Sequence, residues 1–130
     1  PYPPPAPAQG TAAQRARGEQ LVRVGDPAKS LPSCNSCHGE RMTGVQPAIP
    51  GLLGLPRDYL IGQLGGWQTG LRQASAPDCM AEVAKKLSGE DVSAVASWLA
   101  AQPLPADPKP AERLPAPLPI ACGSDLGGVR

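Results

Sequence analysis

Cys34-Asn35-Ser36-Cys37-His38 is the stretch on which the reading of this sequence turns. Two cysteines three positions apart on a helical turn face the same way, and a histidine directly after the second is carried to that side. Both sulfurs can then form thioethers with the two vinyl groups on one edge of a porphyrin, with His38 placed under the iron. This is the C-x-x-C-H haem attachment pattern, and it implies one covalently bound haem c. Three plainer readings stand beside it. A structural zinc site needs four ligands, so His38, the only histidine in the chain, would have to join Cys34, Cys37 and one distant cysteine. A thioredoxin-type redox pair needs a βαβ setting that the sequence lacks. A plain Cys34–Cys37 disulfide leaves His38 unexplained.

A haem held by one histidine usually takes a second axial ligand, and with no other histidine, methionine is the candidate. The chain offers Met42 and Met80. Met42 follows His38 so closely that reaching the opposite haem face would require the chain to double round the ring edge at once. Met80, far downstream, reaches it easily. The alternative is an open sixth position, which would suit a haem enzyme or gas sensor. With His38 and Met80 both on the iron no position is left for substrate, and the site suits outer-sphere electron transfer by a carrier rather than catalysis.

Of the 18 prolines in 130 residues, 12 crowd the two ends, over 1–7 and 103–119. The expected organisation is a Pro-rich tether over 1–11, a folded domain over 12–102 and a Pro-rich extension over 103–130. About ninety residues is near the size where a core is marginal without help. There is no Phe, and only two Trp and two Tyr, so Leu21, Ile49, Leu52, Leu60, Leu64, Val83, Leu87, Val95 and Leu99 must do most of the burying. A large apolar macrocycle would complete such a core. A formal net charge of +1 argues against a nucleic-acid binder. No apolar run approaches the roughly 18 residues of a membrane span, and a chain opening on Pro1 without a basic, hydrophobic leader reads as a processed, periplasmic protein.

The fold expectation is mostly α. Ala12–Val24 is rich in Ala, Arg, Glu and Gln and reads as a helix closed by Gly25. The stretch 39–55 is broken by Gly and Pro and reads as a loop. Residues 57–65 suit a short helix, with a further turn over 67–72. Ser88 with Asp91 three residues on forms a capping box for a helix whose Val92, Val95, Ala96 and Leu99 make one apolar stripe ending before Pro103.

Over 12–102 the chain resembles the small bacterial class I cytochromes c. CHGERMTGVQPAIPGLLGL is similar to that family's haem turn and proline-bearing loop, YLIGQLGGWQTGLR to its middle helix with the G-x-R ending, and MAEVAKKLSGEDVSAVASWLAAQ to its ligand methionine, short connector and C-terminal helix. The resemblance implies the class I fold, packed around one haem, and supports Met80. It further implies that a loop-proline carbonyl accepts from His38 Nδ1–H, with Pro47 fitting best and Pro50 its rival. It implies a close helix crossing of Gly18 with Trp98, and Trp67 and Arg72 as partners of the haem propionates.

Two features depart from the family pattern: a cysteine directly before Met80, and the tail from Leu104 to Arg130. Cys79 and Cys122 are left over once the haem is attached, and an oxidising compartment favours their pairing as a disulfide. The expected partners are redox proteins, with Lys85, Lys86, Arg41 and Arg57 as the candidate docking rim for an acidic surface. An electron-accepting haem subunit of a larger dehydrogenase or oxidase is the alternative setting, with the proline-rich ends as linkers.

Overall fold

The computed structural model describes residues 10–46, 49–74 and 76–123. Among the described residues five α-helices carry the chain, and there is no strand longer than an isolated bridge. Helix α1, Ala12–Arg23, begins at Thr11, whose hydroxyl accepts from the Gln14 N–H at 3.0 Å. Helix α5, Gly89–Ala100, begins with the expected box: Ser88 Oγ accepts from Asp91 N–H at 3.0 Å, and Asp91 accepts from Ser88 N–H at 3.2 Å. The two helices cross at Gly18. A Cβ there would run into the Ala94 carbonyl and stand 2.9 Å from Trp98 Cβ, so only a hydrogen lets the backbones approach this closely. Trp98 therefore lies where the sequence reading put it.

The short α2 covers Asn35–His38. Helix α3 runs unbroken over Arg57–Thr69, where a short helix and a separate turn were expected. Gly62 and Gly65 face open space, while Leu60 is buried and Gln68 Nε2 reaches the carbonyls of Ala84 and Leu87 at 2.9 and 3.1 Å. Those tertiary contacts carry the helix past its glycines until Gly70, in the left-handed region, ends it. The expected connector after Met80 is also a helix, α4, Cys79–Lys86. Asp78 caps it by accepting from Ala81 N–H at 3.1 Å, with Glu82 in the first turn and Lys85 and Lys86 in the last. This is the charge order that the helix dipole favours.

The core gathers Leu21, Val22, Leu31, Met42, Leu60, Val95, Ala96 and Leu99. Leu52, Leu64, Val83 and Leu87, also expected inside, pack against it but remain partly exposed. From Pro103 the chain does not leave the domain. It passes Leu104 over Gly54, bonds Ala111 to the loop after α2, and joins Cys122 to Cys79.

One carboxylate ties the frame together. Asp91 accepts from Arg17 Nε at 3.1 Å and Lys29 Nζ at 2.8 Å, and Arg17 also reaches Asp26 at 2.8 Å. Burial works against ionisation of Asp91, but the hydrogen bonds from Lys29 and Arg17 outweigh it and hold its pKa well below the usual carboxylate range. A carboxylate whose pKa is depressed in the folded state contributes stability above its unfolded value near 4, and that contribution is lost as pH falls toward the folded value. Asp91→Asn is expected to lower the stability of the holoprotein at pH 7 by about 1–3 kcal/mol, discounted for the partial exposure of Arg17 and Lys29. Denaturant titrations across pH should show the difference from the parent shrinking below about pH 4.

Candidate functional site

At Cys34 the chain turns into α2. The Cys34 N–H donates to the Leu21 carbonyl at 3.4 Å, which pins the turn to the buried end of α1. The N–H groups of Cys37 and His38 both donate back to the Cys34 carbonyl, at 3.2 and 2.9 Å. One helical turn thus carries both thiols and the imidazole, as the spacing predicts. Cys34 packs against the core and His38 is buried.

His38 Nδ1 lies 2.8 Å from the Pro50 carbonyl. A carbonyl can only accept, so Nδ1 carries the proton and Nε2 is the nitrogen left for a metal. The acceptor here is Pro50, the rival in the sequence reading; Pro47, the residue first expected, lies outside the described residues. The reason is local. Val45 and Ile49 exchange both backbone hydrogen bonds, at 2.9 and 3.0 Å, and Gly44 N–H donates to the His38 carbonyl at 2.8 Å. The loop folds back on itself, and the residue after Ile49 arrives beside the imidazole. Gly44 has φ +91, and a Cβ on it would stand 2.8 Å from the Pro50 carbonyl carbon, so this return requires glycine.

Burial pushes the His38 pKa down, against the Pro50 hydrogen bond, and keeps the ring neutral as a ligand must be. Burial, and to a lesser degree the neighbouring Cys37 sulfur, push the Cys34 thiol up to about 12. Burial raises Cys37 as well. Neither is the low-pKa thiolate that a disulfide-exchange pair needs. The zinc reading also fails, because Cys79 and Cys122 are joined to each other with their Cα atoms 5.0 Å apart, and among the described residues no three His, Cys, Asp or Glu side chains converge on a metal position.

The two methionines differ in kind. Met42 is buried within the core cluster, with backbone φ +60. Met80, the second residue of α4, is partly exposed and bonded to the disulfide cysteine. The Arg72 guanidinium lies 5.3 Å over the Trp67 ring, so these two expected site residues come together on the surface. The expected docking rim is largely engaged within the chain. Arg57 donates inward to Ser97 Oγ at 2.8 Å, Arg41 faces Asp107 at 3.7 Å, and Lys86 donates to the Ser30 carbonyl at 3.0 Å. Sequence reasoning did not foresee Ala111 beside the loop that carries Pro50. A lone alanine among prolines gives no side-chain signal, because both its contacts are backbone.

This donor set fits a covalently bound haem: two thiols on one helical turn, and an imidazole with one nitrogen already committed. Partly covered apolar side chains, Leu52, Leu53, Leu55, Ile61, Leu64, Val83 and Leu87, pack on the core together with Cys34. Cys34 and Cys37 would hold the vinyl groups and His38 one axial position.

No protein-family model matches the chain. It is 40% identical over 100 residues to the thiosulfate dehydrogenase electron acceptor of Thiomonas intermedia strain K12, an alignment covering 77% of this chain and 46% of that protein. It is 30% identical over 70 residues to cytochrome c-554(548) of Halomonas halodenitrificans, covering 54% of this chain and 84% of that protein. The crystal structure of cytochrome c4 from Pseudomonas stutzeri superposes with a TM-score of 0.62 at 30% identity, over 74% of this chain and 52% of that one. The chain thus spans about half the length of the Thiomonas protein and of cytochrome c4. Because it accounts for most of the Halomonas cytochrome and shares the helical frame of cytochrome c4, the chain belongs to the class I c-type cytochromes, the family that carries haem c on the C-x-x-C-H turn.

Proposed function

We propose that this chain is an electron-transfer domain in which Cys34 and Cys37 hold one haem c, His38 and Met80 occupy the two axial positions, and the Cys79–Cys122 disulfide backs the methionine. The haem supplies a one-electron ferric–ferrous couple. The observation that carries the reading is the buried His38 with Nδ1 committed to Pro50: it orients a neutral imidazole and makes it a better donor. Met80 is favoured as its opposite number because Met42 is already used as core packing. Filling both sides excludes substrate, so the chain's own groups hold and insulate rather than transform. Leu52, Leu55, Leu64, Val83 and Leu87 keep water away, and Arg72, steadied on the Trp67 ring, offers a cation to the propionates.

The disulfide supports an oxidising compartment, the bacterial periplasm. Among the described residues no helix is long and apolar enough to cross a membrane. The working partners are redox proteins. The likeness to the Thiomonas acceptor favours one setting among these, in which the domain takes electrons from a dehydrogenase acting on a sulfur oxyanion.

Met80→Ala is expected to leave the haem covalently attached, remove the sulfur-to-iron absorption band of the ferric protein and lower its potential, whereas Met42→Ala lowers stability by about 2–4 kcal/mol with the band in place. A band that survives in the first variant and vanishes in the second reverses the ligand assignment. The denatured, non-reduced holoprotein should show no titratable thiol, and reduction or Cys122→Ser should bleach the band at lower temperature than in the parent. Two free thiols would remove the bridge from the reading. Purification under native conditions should bring down a dehydrogenase that reduces the haem with thiosulfate as donor; reduction by a dehydrogenase of another substrate class would reassign the partner.

A further inference from the structure

The loop that presents Pro50 to His38 has one edge turned outward, and the C-terminal extension closes it. Inside the loop, Val45 and Ile49 pair with each other. On the outer edge, the Ala111 N–H donates to the Gly44 carbonyl at 2.9 Å, and the Gln46 N–H donates to the Ala111 carbonyl at 2.8 Å. Ala111 thereby adds a third line of backbone, parallel to Val45. Leu104 over Gly54, Asp107 facing Arg41, and the Cys122–Cys79 bond fix the extension on either side of this contact. The edge it clamps is the one from which Gly44 reaches the His38 carbonyl and beyond which the chain returns to Pro50.

We propose that Ala111 is a positioning residue for the histidine ligand: by clamping the Gly44–Gln46 edge it holds the Pro50 carbonyl on His38 Nδ1–H and so sets how strongly the imidazole donates to iron. This rests on the haem reading above. The extension then has two anchors that act on opposite ligands. Loosening Pro50 from Nδ1–H weakens imidazole donation, favours the ferrous state and raises the potential. Loosening Met80 through Cys122 lowers it. The two anchors therefore carry opposite signs, which a merely draped tail would not.

The test uses the full-length holoprotein. Ala111→Pro deletes the N–H that serves Gly44, and Ala111→Gly keeps both bonds as a control. Gln46→Pro deletes the second bond from the loop's side and stands in should the first variant fail to accumulate. Exchange of His38 Nδ1–H with deuterated solvent, followed by proton NMR of the reduced protein, should become about five- to tenfold faster in either proline variant, the effect of losing one net backbone hydrogen bond. The midpoint potential should rise while the sulfur-to-iron band persists. Cys79→Ser/Cys122→Ser, which leaves both Ala111 backbone bonds in place, should speed that exchange less than either proline variant does. Exchange and potential both at parent values in the proline variants would overturn the proposal while the haem reading stands. A fall in potential with loss of the band would overturn it too, since the extension would then act on Met80 alone. Haem that extracts from the parent chain into acid acetone would overturn both.

Discussion

The close approach of α1 to α5 at Gly18 is the constraint on which the other parts depend. Backbone meets backbone there, with the Ala94 carbonyl and Trp98 occupying the space a side chain would take. Because the helices lie so near, Leu21 and Val22 on one side and Val95, Ala96 and Leu99 on the other share one dry interior. The carbonyl of Leu21 then offers the point to which the Cys34 turn is fixed. Asp91 secures the same crossing from its rim, joining α5 to Arg17 of α1 and to Lys29 in the turn that follows. The haem turn is thus located by a contact made some distance from it.

From this frame the rest of the site follows by backbone geometry more than by side-chain recognition. His38 meets a carbonyl, the carbonyl sits on a returning loop, and the loop is edged by Ala111 through two further backbone bonds. Glycines and prolines dominate these stretches because the chain must turn back where regular ladders are absent. The partly covered leucines and valines around the core, Leu52, Leu64, Val83 and Leu87, complete the picture of an interior built to close on an apolar group larger than any side chain.

Features with a local cause were legible before any coordinates. The haem turn follows from two cysteines and a histidine at fixed spacing, α1 from its helix-forming composition and closing Gly25, α5 from its capping box and apolar stripe, and the Gly18–Trp98 crossing from resemblance. What escaped was decided by contacts distant in sequence. A short helix over 57–65 and a separate turn over 67–72 were expected, yet Leu60 and Gln68 hold α3 as one helix. The eight residues of α4 are too few for a long stripe, and its last carbonyls are met by Gln68 from another helix. That Pro50 meets His38 follows from the pairing of Val45 with Ile49, which brings the next carbonyl inward, and no composition reveals that register. Trp67 and Arg72 do come together, by the stacking of a guanidinium on an indole.

The crossing at Gly18 also orders events in time. Its two halves come from opposite ends of the domain, so the interior cannot form until nearly all of the domain is present and free to fold. Until then the Cys34–His38 segment is an open peptide, free of the Leu21 carbonyl and of the core that later covers it. Thioether formation needs both sulfurs within reach of a cofactor and of the machinery that attaches it. The chain's long-range topology therefore leaves a window in which its most deeply placed chemistry is still on the outside.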